Sequence, residues 1–176
     1  PSKVVEVYGI FKAYCTRVGS GPFPTELFDD TGDKIRETGR EFGSTTGRPR
    51  RCGWLDLPIL KYSAMLNGVT QLLMMKADVL NDFDEIKVCT HYKLSTGFTT
   101  DRVPYDIVTE NIEPVYKTFP GWKCDLGQFS SYEELPGEMK TYLKFIEQEL
   151  KIPVNVVSIG PDRTQTLIKE GVMNVN

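Results

Sequence analysis

Between residues 44 and 51 the chain reads Ser44-Thr45-Thr46-Gly47-Arg48-Pro49-Arg50-Arg51. Hydroxyl side chains and a glycine let backbone N–H groups come close to an anion. Arginine forks match a carboxylate or phosphate at two points. Arg36 and Arg40 lie just upstream, so positive charge gathers locally in a protein whose net charge is -3. Such a reversal suits a polyanionic small molecule. A solvated basic loop paired with Asp29, Asp30 and Glu41 has the same composition, so both readings stay open. Mutual repulsion of the arginines and a backbone with little to bury predict a loop that is mobile without ligand.

A second candidate is Lys76-Ala77-Asp78, directly behind the mostly apolar segment Val69 to Met75. An aspartate there can accept hydrogen bonds from guanine N1–H and N2–H, a pair that adenine lacks, while the lysine stem covers the base. The wrong base would leave the carboxylate unpaired. A surface lysine and an N-capping aspartate look identical in sequence. Ser158-Ile159-Gly160-Pro161-Asp162-Arg163 closes another apolar run. Glycine permits close approach, proline stiffens the turn, and serine can donate or accept; a plain strand-end turn fits equally well. Arg17-Val18-Gly19-Ser20-Gly21-Pro22-Phe23-Pro24-Thr25 lacks the GxxxxGK[ST] spacing of a phosphate-cradling loop. The single histidine, His91, sits in an apparent strand beside Tyr92, which argues against a Ser-His-Asp arrangement. Cys15, Cys52, Cys89 and Cys124 form no CxxC pair, so a zinc cluster is not expected and the thiols read as reduced and partly buried. No catalytic residue and no metal-ligating set is assigned.

These loops need elements to hold them. Lys12 to Val18 is β-prone, and Asp30 to Phe42 reads as a short polar helix ended by Gly43. Asp56 is a plausible N-cap for a helix reaching about Leu66, with Pro58 in its first turn. Val69 to Met75, Glu85 to Tyr92 and Pro153 to Ile159 read as strands, and Lys93 to Cys124 as a β-excursion. Met139, Tyr142, Leu143, Ile146 and Leu150 fall on one face of a helix starting at Leu135-Pro136. Alternating helices and apolar strands point to an α/β fold, in which ligands sit at the carboxyl ends of strands.

The chain of 176 residues suits one domain, 1–176, and is short for an enzyme that must hold three substrates. Hydrophobic residues at 40% and charged residues at 26% exclude a collagen, a disordered chain or a long coiled coil. The acidic balance argues against a dedicated nucleic-acid binder. The longest apolar run, Leu72 to Met75, is far short of the roughly 20 residues that span a bilayer. Pro1-Ser2-Lys3 opens no basic or apolar leader, so no secretory signal or transit peptide is expected; a start at Pro reads as trimmed.

Taken together, the motifs resemble one family, adenylosuccinate synthetase. The resemblance rests on Lys12 to Leu27, on Glu41-Phe42-Gly43-Ser44-Thr45-Thr46-Gly47-Arg48-Pro49-Arg50-Arg51-Cys52-Gly53-Trp54-Leu55-Asp56, on Lys76-Ala77-Asp78-Val79-Leu80, on Pro120-Gly121-Trp122 and on Gly160-Pro161-Asp162-Arg163. It runs from about Lys12 to Leu167. It implies the C-terminal part of a P-loop-NTPase-like α/β fold, with a mixed sheet, flanking helices and a β-excursion. The activity it implies is ligation of IMP to L-aspartate with GTP and Mg²⁺, giving adenylosuccinate, GDP and phosphate in AMP biosynthesis. The positions Ser44, Thr45, Thr46, Gly47, Arg48, Pro49 and Arg50 would then bind aspartate. Arg48 would be shared with IMP, Arg50 would also reach the GTP phosphates, and Val18 would line the IMP pocket. Lys76, Ala77 and Asp78, with Ser158, Ile159 and Gly160, would hold the guanine.

Met75 and Ala77 stand where the family usually has Thr and Leu, while Lys76 and Asp78 are intact. The family's glycine-rich phosphate loop, its catalytic Asp and its catalytic His have no counterpart in these residues. The resemblance therefore implies a C-terminal portion, inactive alone, with no tightly held cofactor, from a cytoplasmic enzyme that is a homodimer when whole. It implies small-molecule partners, no nucleic acid and no membrane. The alternatives are a stand-alone guanine-nucleotide-binding module without catalysis and, less favoured by the motifs, a structural dimerisation domain. Lys-Glu-Gly and Met173 to Asn176 form an extension without a reading.

Overall fold

The computed structural model describes residues 4–171, so the segment 173–176 lies outside the described residues. Backbone contacts divide the chain into two compact units. The first comprises Pro1–Ala13, Ser63–Glu85 and Phe119–Asn176; the second comprises Tyr14–Tyr62 and Ile86–Thr118. Both are α/β in character and both contain mixed sheets, as the alternation of apolar runs and helices predicts.

The first unit is organised by a sheet in the order β1 (Tyr8–Lys12), β5 (Gln71–Met75), β9 (Val154–Ser158), β10 (Thr166–Ile168). The first three strands are parallel, with Lys12 opposite Met75 and Met74 opposite Val157; β10 returns antiparallel. Every residue of β9 is buried, as a β-branched strand in a parallel sheet requires when both faces are covered. One covering layer is α3 (Gly137–Leu150), which packs on β9 and buries Met139, Tyr142, Leu143, Ile146 and Leu150. Each such side chain contributes about 1.5–3 kcal/mol through removal from water. Tyr142 anchors the helix further: its hydroxyl donates to the Ala13 carbonyl at 3.2 Å, and its ring meets Phe119 edge-on at 5.5 Å between centroids. The helix begins two residues later than expected and stops at Lys151, which adopts a left-handed φ of 58°. The edge strand β10 carries no strong apolar pattern of its own and goes unpredicted; its pairing with β9 creates it.

In the second unit, β2 (Cys15–Arg17) pairs antiparallel with β3 (Arg51–Gly53), which sets Arg17 opposite Arg51. The helix α1 (Asp30–Thr38) packs on β3 and is capped by the Asp29 carboxylate, which accepts from the Thr31 and Gly32 amides. It ends well before Phe42. Gly39 lies against the Tyr14 hydroxyl where no Cβ fits, and Arg40 turns left-handed at φ 49°. The strand β4 (Leu55–Asp56) runs parallel to β6 (Glu85–Lys93), and β7 (Thr99–Thr100) and β8 (Glu113–Pro120) also pair with β6. Asp56 caps α2 (Leu57–Asn67) as expected, accepting the Ile59 amide at 3.2 Å. The Tyr92 hydroxyl lies 2.6 Å from each Asp56 carboxylate oxygen. Burial pushes the Asp56 carboxyl up to about 6, against the lowering effect of these hydrogen bonds.

Candidate functional site

The arginine loop is a hairpin in the second unit with a hydrogen-bonded neck. Phe42 bridges Pro49, the Gly43 amide donates to the Arg48 carbonyl at 2.9 Å, and the Arg50 amide donates to the Glu41 carbonyl at 2.9 Å. Gly47 turns the tip at φ 66°, with its amide on the Gly43 carbonyl at 2.8 Å. Below the tip is a recess of about 100 Å³ lined by Arg17, Val18 and Gly19 from one loop and Thr46, Arg48 and Pro49 from the other. Val18, Thr46, Arg48 and Pro49 thus come together. Ser44, Thr45 and Gly47 are exposed around the tip and do not line this recess.

The arginines divide sharply in what they do. Arg51 forms a two-point ion pair with Glu26, donates to the Gly19 and Gly21 carbonyls at 2.8 and 2.7 Å, and stacks over Phe23. Hydrogen bonding to Glu26 raises its pKa further, so it serves as an anchor for the 19–26 segment. Arg36 pairs with Asp33 and donates from Nε to the Arg50 carbonyl at 2.8 Å. Arg50 donates from Nη1 to Glu41 Oε2 at 2.8 Å. Arg17 and Arg48, by contrast, are exposed and have no side-chain partner among the described residues. Of the acids expected to pair with these arginines, Glu41 holds Arg50, whereas Asp29 caps α1, and Arg51 and Arg36 take Glu26 and Asp33 instead. Arg17 escaped the sequence assignment although it adjoins Val18, and Glu41 gave only the signal of a lone acid among arginines.

The second set of candidates lies in the first unit, at the carboxyl ends of neighbouring parallel strands. β5 stops at Met75, and Lys76 reverses the chain with φ 59° and ψ 38° into a 3₁₀ turn, Ala77–Leu80. Ala77 is fully buried and Asp78 is half-buried. Partial burial pushes the Asp78 carboxyl up from its ordinary value, and the Lys76 charge pulls it back. This turn packs against β9, whose end supplies Ser158, Ile159 and Gly160. Ser158 Oγ donates to the Gly160 carbonyl at 3.0 Å, while the Ile159 amide donates to the Gln165 carbonyl at 2.9 Å. A Cβ on Gly160 would run into the Gln165 side chain, which accepts from the Asp162 amide and locks the turn. The Ile159 side chain is buried, so it offers a ligand its backbone only. Lys76, Ala77, Asp78, Ser158, Ile159 and Gly160 are all brought to one sheet edge; Arg50 belongs to the other unit.

His91 lies on β6 with Nδ1 3.0 Å from Thr90 Oγ1, and none of the four cysteines forms a disulfide among the described residues. Among the described residues no group of three or more His, Cys, Asp or Glu side chains is gathered to hold a metal ion. No helix among them is long and apolar enough to cross a membrane.

The family model described as adenylosuccinate synthetase matches residues 1–167. The adenylosuccinate synthetase of Cytophaga hutchinsonii is 61% identical over 170 residues, which cover 97% of this chain and 39% of that protein. That of Flavobacterium psychrophilum is 61% identical over 96% of this chain and 40% of its own length. A solved structure of fully ligated adenylosuccinate synthetase from Plasmodium falciparum superposes with a TM-score of 0.91 at 42% identity, over 96% of this chain and 41% of that one. The chain spans about 40% of the length of the curated relatives it matches. The family match runs over nearly the whole chain and the fold agrees with that solved structure: the chain belongs to the adenylosuccinate synthetase family.

Proposed function

We propose that this chain is the C-terminal portion of an enzyme that joins IMP to L-aspartate with GTP, releasing adenylosuccinate, GDP and phosphate. The observation that carries the reading is the meeting of Lys76–Asp78 and Ser158–Gly160 at the carboxyl ends of two adjacent parallel strands, in a member of this family. There the Asp78 carboxylate accepts guanine N1–H and N2–H, the Lys76 stem covers a base face, and Ser158, Ile159 and Gly160 border the other side. In the hairpin, Ser44, Thr45, Thr46, Gly47, Arg48 and Pro49 take the aspartate carboxylates, Val18 lines the IMP pocket, and Arg50 serves aspartate and nucleotide phosphates. Transfer of the GTP γ-phosphoryl group to the purine 6-oxygen makes a leaving group, which the aspartate amine displaces as phosphate.

On this reading the residues that perform the phosphoryl transfer lie outside the chain. Residues 1–176 act as one unit of binding, carrying the aspartate hairpin and the guanine edge, without turnover of their own. Mg²⁺ belongs to the whole enzyme. The whole enzyme works as a cytoplasmic homodimer. Calorimetry on the purified chain should show GDP binding with ADP rejected, and no conversion of IMP, aspartate and GTP until an N-terminal portion is supplied. Turnover by the 176 residues alone would sink the division of labour, and equal affinity for GDP and ADP would sink the guanine site.

A further inference from the structure

We propose that Glu41 and Tyr14 are positioning residues for Arg50, an inference that rests on the reading of the hairpin as an aspartate-binding loop. Glu41 is fully buried, its side chain shut off from solvent, while Arg50 reaches from the neck with about a third of its side chain exposed. One carboxylate oxygen, Oε2, accepts Arg50 Nη1 at 2.8 Å; the other, Oε1, accepts the Tyr14 hydroxyl at 2.6 Å. That hydroxyl is itself confined, because it fills the space where any side chain at Gly39 would begin. The backbone repeats the hold: the Arg50 amide is on the Glu41 carbonyl at 2.9 Å, and the Arg50 carbonyl takes Arg36 Nε at 2.8 Å. Arg50 is thus gripped at its amide, its carbonyl and one guanidinium nitrogen.

What is left over is directional. Nη2 has no protein partner among the described residues, and Nε is buried with none. A guanidinium fixed on one side with an unused terminal nitrogen is prepared to meet an incoming carboxylate or phosphate with little loss of side-chain freedom. Burial makes the clamp stiff, since a carboxylate removed from water tolerates no drift of the cation that neutralises it. Arg48 has no such clamp. The two arginines therefore take different roles, with Arg48 adapting to the ligand and Arg50 fixing its register.

The proposal is tested by ¹⁵N NMR of the arginine side chains in this chain, with Arg50 assigned by its disappearance in Arg50→Lys, before and after titration with L-aspartate. The native Arg50 Nε–H signal should be sharp with hindered guanidinium rotation, while Arg48 rotates freely. Tyr14→Phe should loosen Arg50, Glu41→Gln should release it, and L-aspartate affinity should fall about tenfold in the released variant. If Glu41→Gln does not fold, Tyr14→Phe, which removes one oxygen atom and keeps the charge pair, carries the comparison. An Arg50 that stays ordered in these variants, or L-aspartate affinity unchanged by its release, overturns the proposal. Release of Arg50 in the variants with no response of native Arg50 to L-aspartate supports the clamp and overturns instead the aspartate reading of the hairpin.

Discussion

The sheet edge behind β5 and β9 and the arginine hairpin behind α1 are both candidate ligand sites, yet they are built by opposite means. At the sheet edge the backbone does the placing. Two adjacent parallel strands end side by side, Lys76 turns left-handed, and the side chains that would read a base inherit their positions from the main chain. In the hairpin the side chains do the placing. Glu41, Tyr14 and Glu26 hold Arg50 and Arg51, and those ion pairs hold the loops. A site of the first kind should lose binding without losing stability when its recognition residue changes. A site of the second kind should lose both.

The strongest test of that contrast is Asp78→Asn. GDP affinity should fall about a thousandfold, the worth of two hydrogen bonds to a charged group, as read by calorimetry. Resistance to urea should hardly change, because partial burial already disfavours this carboxylate. A large loss of stability would break the contrast.

Next comes pH, in the second unit. The Asp56 carboxyl is raised to about 6 by burial, so its stabilising contribution is fully present below the ordinary carboxylate range and is lost as pH rises through 6. Urea denaturation between about pH 4 and pH 6 should register roughly 3 kcal/mol from this group. Asp56→Asn keeps an acceptor for the Ile59 amide and the Tyr92 hydroxyl, and should flatten that dependence.

Arg50→Ala removes the guanidinium that pairs with the buried Glu41 and should cost about 2–3 kcal/mol of stability. The smallest structural effect is expected at Arg48→Ala, within about 0.5 kcal/mol of the native chain by the same denaturation. Weaker L-aspartate binding at unchanged stability would place Arg48 functionally beside Asp78, and would sharpen the contrast to single arginines within one loop.

How far each feature could be read beforehand follows the range of the forces that make it. The stripe from Met139 to Leu150, the capping by Asp56 and the apolar strand ending at Ser158 depend on neighbours within a turn or a strand, and each was legible in the residues. The early end of α1 at Gly39 was not read, and the Tyr14 hydroxyl that leaves no room for a side chain there comes from far back in the chain. Nor was β10, which exists through its pairing with β9.

The same division applies to function. The residue types and their spacing were enough to carry the family resemblance and to single out the 44–51 loop and Lys76–Asp78 as candidates, because recognising a carboxylate or a purine edge would demand such donors and acceptors. Which arginines remain available was decided only in three dimensions. Arg51 and Arg48 are nearly adjacent in sequence and chemically identical, yet one is consumed by Glu26 and backbone carbonyls while the other is without a partner among the described residues. Charge is a property of the chain; whether that charge is already neutralised depends on which acid the fold carries to it.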